Sequence, residues 1–199
     1  LKPESLAVTV AGRNIGEVVA LPITEALYGA ERAPFAYTPV LGCALDRARG
    51  TFTLATPRTA GGFAPSGSLD GGAVSVTVEG APATVWASSV DAEKTDLRHA
   101  KRILVTHLTD VQADGNVYAD EEKTVLLKWG KAPPVARRGK AQVRLAHAAP
   151  ASLDVWALDT SGARRARVPA RVEGDRFVFT AEIAPPSAVL HYEVAVRAH

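Results

Sequence analysis

Apolar side chains recur at every second position along most of this chain, and this spacing restricts its fold more than any other feature. In the clearest run, residues 73–78, Val74, Val76 and Val78 alternate with serine and threonine. Successive side chains of a β-strand point to opposite faces, so a period of two predicts a strand with one buried side and one solvent-facing side.

About ten such runs follow one another along the chain. They are residues 5–10, 50–56, 73–78, 83–90, 102–109, 125–129, 141–146, 153–158, 176–183 and 190–197. Turn-forming residues stand between them, among them Gly61-Gly62, which predict a turn. The best helical window, residues 23–33, is interrupted by Gly29 and followed by Pro34. The sequence therefore predicts an all-β chain with one or more antiparallel β-sandwiches, immunoglobulin-like or jelly-roll-like, and little or no helix.

Proline-rich stretches divide the chain into three parts. Residues 1–45 are predicted to be a connector with one or two strands. Residues 46–132 are predicted to form a β-sandwich subdomain, and residues 133–199 a second β-subdomain packed on it, with one continuous domain as the alternative. The boundary lies at Pro133-Pro134, because proline cannot donate a hydrogen bond to a β-ladder.

The composition narrows the functional classes. Of the 199 residues, 47% are hydrophobic and 22% charged, which is typical of an ordered globular chain. A net charge of +2 gives no expectation of a nucleic-acid partner, and no apolar run is long enough to predict a membrane span. The chain starts at Leu1 and contains no methionine, so we expect a processed product or a piece of a longer polypeptide. The single Cys43 leaves the cellular compartment open.

Acidic side chains cluster in one connection between predicted strands. They are Asp110, Asp114, Asp120, Glu121 and Glu122. We interpret the cluster as a solvated connection, because charged runs are usually surface. The alternative is a Ca²⁺ site built from loop carboxylates, although the spacing does not match an EF-hand loop. No cofactor is predicted from the sequence.

Histidines and nucleophiles form no recognisable catalytic motif. The five histidines make no HxH or HExxH pattern, and there is no G-x-S-x-G sequence. His107 lies in a strand that is apolar on both faces, so it is predicted to be a buried, hydrogen-bonded structural histidine. No catalytic residue is predicted, and a small all-β enzyme using Asp110 or His107 is kept only as an alternative.

Aromatic side chains are the remaining candidates for a binding site, because sugar rings stack on exposed aromatic rings. The three tryptophans, Trp86, Trp129 and Trp156, are expected mainly to pack in the core. Trp129 is predicted to be the most exposed, since it ends its strand, and Tyr118 precedes it. Trp129, Tyr118 and Trp86 are therefore the candidate carbohydrate contacts. Arg164–Arg167 predicts an edge strand protected by charge.

Several phrases, taken in order, resemble a known kind of sequence. They are Asp46 followed by GTFTLATPRTAGGF at 50–63, the strands at 83–91 and 101–112, the step LKWGKAP at 127–133, and VWALD at 155–159. Together they resemble the β-rich C-terminal region that follows the catalytic barrel of some bacterial glycoside-hydrolase-like proteins. The resemblance covers roughly residues 46–199, and it implies an upstream catalytic domain in the same polypeptide and a secreted or periplasmic location. The catalytic carboxylates of those proteins lie in the barrel, so none is carried over.

Three functions follow as alternatives. The first is a non-catalytic accessory domain of a carbohydrate-active enzyme, with structural support or weak glycan contact as its role; it predicts an exposed apolar patch. The second is an independent carbohydrate-binding module, which predicts two exposed aromatic residues flanked by Asn, Asp or Arg. The third is the small all-β enzyme.

Overall fold

The computed structural model describes residues 9–10, 13–14, 42–92, 95–121, 123–185 and 187–197. The chain divides into two compact units, residues 1–39 and 40–199. In the first unit, β1 (Thr9–Val10) pairs with β2 (Arg13–Asn14) as an antiparallel hairpin. The remainder of the predicted connector up to residue 41 lies outside the described residues.

The described residues of the second unit form eighteen strands, and every pairing described between them is antiparallel. The first nine are β3 (Gly42–Asp46), β4 (Thr51–Ala55), β5 (Thr59–Ala64), β6 (Gly67–Asp70), β7 (Val74–Glu79), β8 (Ala83–Ser89), β9 (Arg102–Leu108), β10 (Val111–Asp114) and β11 (Val117–Tyr118). The others are β12 (Leu126–Lys128), β13 (Lys131–Ala136), β14 (Gly139–Ala146), β15 (Leu153–Leu158), β16 (Arg164–Val168), β17 (Ala170–Glu173), β18 (Arg176–Ala184), β19 (Ser187–Ala188) and β20 (His191–Val196). Outside these strands, the described residues form one 3-10 turn, Pro150–Ser152, and no α-helix.

Two large sheets enclose the core. The eight-stranded sheet has the order β16-β15-β20-β9-β8-β5-β4-β3, and the six-stranded sheet has the order β17-β18-β14-β7-β6 with β19 beside β18. Strands from residues 46–132 and 133–199 occur in both sheets, since β14 lies between β7 and β18, and β20 lies beside β9. β10 pairs with β13 and β11 with β12 in two separate ribbons.

The period-two pattern determines what the sheets bury. Val76 on β7, Val143 on β14 and Phe179 on β18 face inward from the six-stranded sheet, and Val85 on β8 and Val105 on β9 face them from the other. All belong to one buried cluster, so the second unit is an antiparallel β-sandwich. The all-β prediction is confirmed.

Two glycines lie where the sequence predicts a turn, and that prediction is wrong. Gly61 and Gly62 belong to β5, between β4 and β8. A Cβ added at Gly61 would lie 2.1 Å from the carbonyl oxygen of Val85, and one added at Gly62 would lie 2.0 Å from that of Phe52. Glycine is therefore needed because neighbouring backbones approach too closely for any side chain.

The strand that carries Arg164–Arg167 is predicted to lie at the edge of a sheet. β16 lies at the edge of the eight-stranded sheet, which confirms the charged edge strand predicted at Arg164–Arg167.

His107 is fully buried, as predicted. Its predicted hydrogen bonding is wrong, because neither ring nitrogen has a partner among the described residues.

No helix in the described part of the chain is long and apolar enough to cross a membrane.

Candidate functional site

The outer face of the eight-stranded sheet, which points away from the core, carries aromatic and arginine side chains. On β8, Val85 and Ala87 are buried, so Trp86 between them projects outward and is half-buried. Strand pairing places Trp86 opposite Gly61 on β5 and Thr106 on β9. Strand pairing brings these residues of three strands together, and the pleat of each strand directs their side chains to the same face.

One side of this face is apolar. Phe52 on β4 meets the Trp86 ring edge-on, with ring centroids 6.0 Å apart. The register places Leu45 and Phe63 on either side of Phe52, and the Leu45 side chain is 64% exposed. Gly61 leaves the surface beside Trp86 without a side chain. We call these residues, Leu45, Phe52, Phe63 and Trp86, the aromatic half; the outer face of an antiparallel sheet is more often polar.

Three hydroxyl residues and a histidine lie near Trp86 in the strand register of the same face. Ser88 lies two residues along the same strand, and its hydroxyl is 3.1 Å from that of Thr59. Thr106 lies directly opposite Trp86, and its hydroxyl is 3.2 Å from Nδ1 of His191. An indole beside hydroxyl donors and acceptors can stack on the apolar face of a sugar ring while its neighbours bond the sugar's hydroxyls.

A buried carboxylate organises the other side of the face. The Glu193 side chain on β20 is only 8% exposed, and its two oxygens accept hydrogen bonds from Nε of Arg102 at 2.7 Å and Nε of Arg164 at 2.5 Å. The guanidinium of Arg164 lies 5.3 Å from the centroid of the Trp156 ring. Hydrogen bonds from Arg164 and Arg102 hold the pKa of Glu193 below its usual value, although burial opposes them.

A second carboxylate repeats this arrangement. Asp154 on β15 accepts a hydrogen bond from Nε of Arg197 at 2.9 Å and another from Arg167. Burial raises the pKa of Asp154, but the hydrogen bonds from Arg197 and Arg167 outweigh it, so the pKa lies below its usual value. We call the two carboxylates and their four arginines, Glu193, Arg102, Arg164, Asp154, Arg167 and Arg197, the arginine half.

Replacing Glu193 by glutamine is expected to destabilise the sandwich by about 2 kcal/mol at pH 7, because two charge-assisted hydrogen bonds weaken. The folded-state pKa of Glu193 is lowered, so its contribution is present above the unfolded-state pKa and is lost as pH falls through the folded-state value. Urea unfolding at pH 7 and pH 3 should therefore show a difference between wild type and variant that shrinks in acid.

The control for that measurement is Asp175→Asn, on a carboxylate that is 63% exposed and at least 3.6 Å from its arginine partners. We expect a change within about 0.5 kcal/mol, as for most exposed ion pairs. Equal effects of the two substitutions would contradict the role assigned to Glu193.

The three predicted sugar contacts lie on two separate elements. Trp129 follows β12 and is 81% exposed, in agreement with its predicted exposure. Tyr118 on β11 is half-buried; its hydroxyl accepts a hydrogen bond from Nδ2 of Asn116 at 3.2 Å, and Nζ of Lys123 lies 5.9 Å from its ring centroid. Trp86 lies on the outer face of the eight-stranded sheet. Nothing in the described contacts joins Trp86 to the other two.

The acidic cluster is held by basic and backbone groups. Asp110 pairs with Nζ of Lys123, which holds its pKa below the usual value. Asp120 accepts a hydrogen bond from the backbone N–H of Thr124 at 2.8 Å. Glu122 lies outside the described residues. In the part of the chain that the structure describes, no three histidine, cysteine, aspartate or glutamate side chains converge as metal ligands.

Sequence reasoning missed most of the outer face. Trp156, expected in the core, is half-buried on this face, and the same expectation for Trp86 is also wrong. For Trp86 the phase of the alternation offered a signal, since the flanking Val85 and Ala87 are buried. The strand of Trp156 is apolar on both faces, so it offered none. Glu193 and its two arginines gave no local signal, because Arg102 lies 91 residues from Glu193.

Comparison of the chain with protein-family models, curated proteins and solved structures finds no match.

Proposed function

We propose that this chain is a non-catalytic accessory module of a carbohydrate-active polypeptide and that it binds polysaccharide on the outer face of its eight-stranded sheet. The observation that carries the proposal is Trp86, a partly exposed indole in edge-on contact with Phe52, with Thr106 opposite it in the sheet and Ser88 two residues along its strand. The resemblance of residues 46–199 to the tail of glycoside-hydrolase-like proteins supports the carbohydrate part of the proposal.

The geometry suits a binding surface. Trp86 sits on a paired strand in the middle of a sheet, so its backbone is held on both sides and little conformational entropy is lost when a ligand stacks on it. Trp129, although more exposed, ends a strand of a two-stranded ribbon. A face on a large sheet is also wide enough to contact several sugar units at once.

The described carboxylates give no support to the enzymatic alternative. Every aspartate or glutamate with a shifted pKa has it lowered, which keeps it ionised at neutral pH and unable to act as a general acid. The residues are Asp96, Asp110, Asp120, Asp154, Asp159, Glu173 and Glu193. Glycoside hydrolysis needs one carboxyl group whose pKa is raised.

A second candidate function is supported by two exposed apolar side chains of the aromatic half. Leu45 on the edge strand β3 is 64% exposed, and Phe63 also reaches solvent. An exposed apolar patch is what a surface that packs against a neighbouring domain presents. In this alternative, the aromatic half binds the catalytic domain of the same polypeptide.

Trp86→Ala tests the first proposal. We expect the affinity for a bound polysaccharide to fall at least about tenfold, because the stacking surface is removed, which corresponds to about 1.4 kcal/mol. The measurement is affinity electrophoresis of the full chain through gels containing agarose, xylan, dextran, alginate, polygalacturonate or dextran sulfate. Each polysaccharide that slows the migration of the chain is then titrated by isothermal calorimetry.

Trp86→Tyr serves as the folding control, because it keeps a ring against Phe52 and should retain most of the affinity. Trp129→Ala is the matched tryptophan control and should leave binding unchanged. Loss of binding in the Trp129 variant alone would place the site on the ribbon instead. Absence of retardation in every gel would remove the glycan-binding proposal and leave the domain-packing alternative.

A further inference from the structure

The two halves of the outer face form one continuous surface, because β8, β9, β20 and β15 are neighbours in the sheet. Pairing through β9 places Glu193 level with Ser88, which is two residues from Trp86. With ~4.8 Å between strands and ~3.4 Å between residues, the Cα atoms of Glu193 and Trp86 lie roughly 12 Å apart. A ligand of a few sugar units that stacks on Trp86 therefore reaches the arginine half.

The arginines above Glu193 keep donors for a further acceptor. Arg102 and Arg164 each give only Nε to Glu193, and within the described ranges their Nη atoms make no hydrogen bond. A guanidinium has five N–H donors in a fixed planar fork, so four remain on each side chain. Arg102 is 63% and Arg164 47% exposed, which leaves those donors open to a ligand.

The arginine half carries more positive than negative charge. Its four guanidiniums are matched by two carboxylates, which leaves an excess of two positive charges on one patch. Glu193, almost fully buried, fixes two of the guanidiniums, and the Trp156 ring packs against Arg164. Guanidiniums fixed in this way bind the oxygen atoms of carboxylate or sulfate groups in pairs, with little loss of side-chain entropy.

We propose that the ligand of the outer face is an anionic polysaccharide, whose carboxylate or sulfate groups bind the Nη atoms of Arg102 and Arg164 while a neighbouring sugar ring stacks on Trp86. This inference rests on the proposed glycan binding and specifies its ligand class. Glu193 is the residue that positions both guanidiniums.

The test compares neutral dextran with dextran sulfate, which has the same backbone, and with polygalacturonate, which carries carboxylates on a different backbone. The full chain is titrated with dextran, with dextran sulfate and with polygalacturonate, which is the carboxylated polymer. The titrations are made at about 0.15 M salt, where electrostatic interactions over distances longer than the Debye length are screened. We expect at least one anionic polymer to bind about tenfold or more tightly than dextran. Whether dextran sulfate or polygalacturonate binds more tightly shows whether sulfate or carboxylate is the recognised group.

The Arg102→Gln/Arg164→Gln double variant should lower the affinity for that anionic polymer about tenfold. The control Arg98→Gln/Lys140→Gln removes the same two positive charges outside the arginine half, where Arg98 lies 3.7 Å from Asp175 and Lys140 lies 3.3 Å from Glu182, and should change affinity less than about twofold. If thermal unfolding shows that the double variant does not fold, the two lysine substitutions replace it, with an expected loss of about threefold because lysine lacks the planar fork.

Three results would overturn the proposal. Equal binding of dextran and the anionic polymers, still dependent on Trp86, would refute the anionic ligand and keep the glycan-binding function. Equal losses in the Arg98→Gln/Lys140→Gln control and in the Arg102→Gln/Arg164→Gln variant would show that only overall charge matters. Failure to bind any polysaccharide would refute the glycan-binding function itself.

Discussion

Gly62→Ala is expected to cost about 3–5 kcal/mol of folding free energy. The new Cβ would lie 2.0 Å from the carbonyl oxygen of Phe52 and 3.1 Å from Cα of Thr53, and backbone atoms of a paired strand cannot move aside singly. Either β4 separates from β5 or the ladder shifts. Native domains are stable by about 5–15 kcal/mol, so this variant should unfold at much lower urea concentration.

The control for Gly62 is Gly72→Ala. Gly72 has a left-handed backbone conformation, with φ of +75°, but a Cβ there would meet nothing within 4 Å. Its expected cost is therefore only that of the left-handed conformation, about 1–2 kcal/mol. Urea midpoints that fall equally in both variants would show that β4 and β5 do not approach as closely as described. Because β5 carries Phe63, Gly62→Ala should also weaken polysaccharide binding.

His107 is expected to make the sandwich less stable as pH falls from about 6.5 to about 4. Burial disfavours the charged imidazolium and lowers the pKa of His107 to about 4. The unfolded chain, with an ordinary histidine, takes up a proton between these pH values and the folded chain does not, so acid favours unfolding. The shift corresponds to a loss of about 3 kcal/mol over that range.

His107→Leu should remove this pH dependence. It should also stabilise the protein at pH 7 by about 1 kcal/mol, because an apolar group replaces a buried polar group that has no hydrogen-bond partner. Unfolding free energies measured by urea titration at half-unit pH steps from 7 to 5, above the range in which carboxyl groups titrate, would show a flat profile for the variant. His99→Gln, on an exposed histidine paired with Asp96, should keep the slope of the wild type. A variant profile as steep as the wild type would assign the slope to other groups.

The two pH effects fall in different ranges and can be separated. The contribution of Glu193 is lost only below the ordinary range of carboxyl groups, because its folded-state pKa is lowered. The His107 effect is complete by about pH 4. A His107→Leu/Glu193→Gln double variant should therefore lose both slopes independently, since each arises from a separate charge.

Some residues of the candidate site could be predicted from the sequence, but not which of them the fold brings together on one face. The alternation around Trp86 already places that side chain opposite Val85 and Ala87. Which of the two sets is buried depends on the second sheet, which no local pattern identifies. For Trp156 the strand is apolar on both sides, so period two gives no direction at all.

Alternation of polar and apolar side chains was enough to predict that the chain is built of β-strands and roughly where they lie, because this alternation is a local property of each strand. Three features became visible only in the folded chain: β14 lies between β7 and β18, Gly61 and Gly62 lie where neighbouring backbones nearly touch, and Glu193 binds Arg102 and Arg164. These features depend on pairing between strands far apart in sequence. Pairing of that kind is fixed by packing of the whole core and not by any single segment.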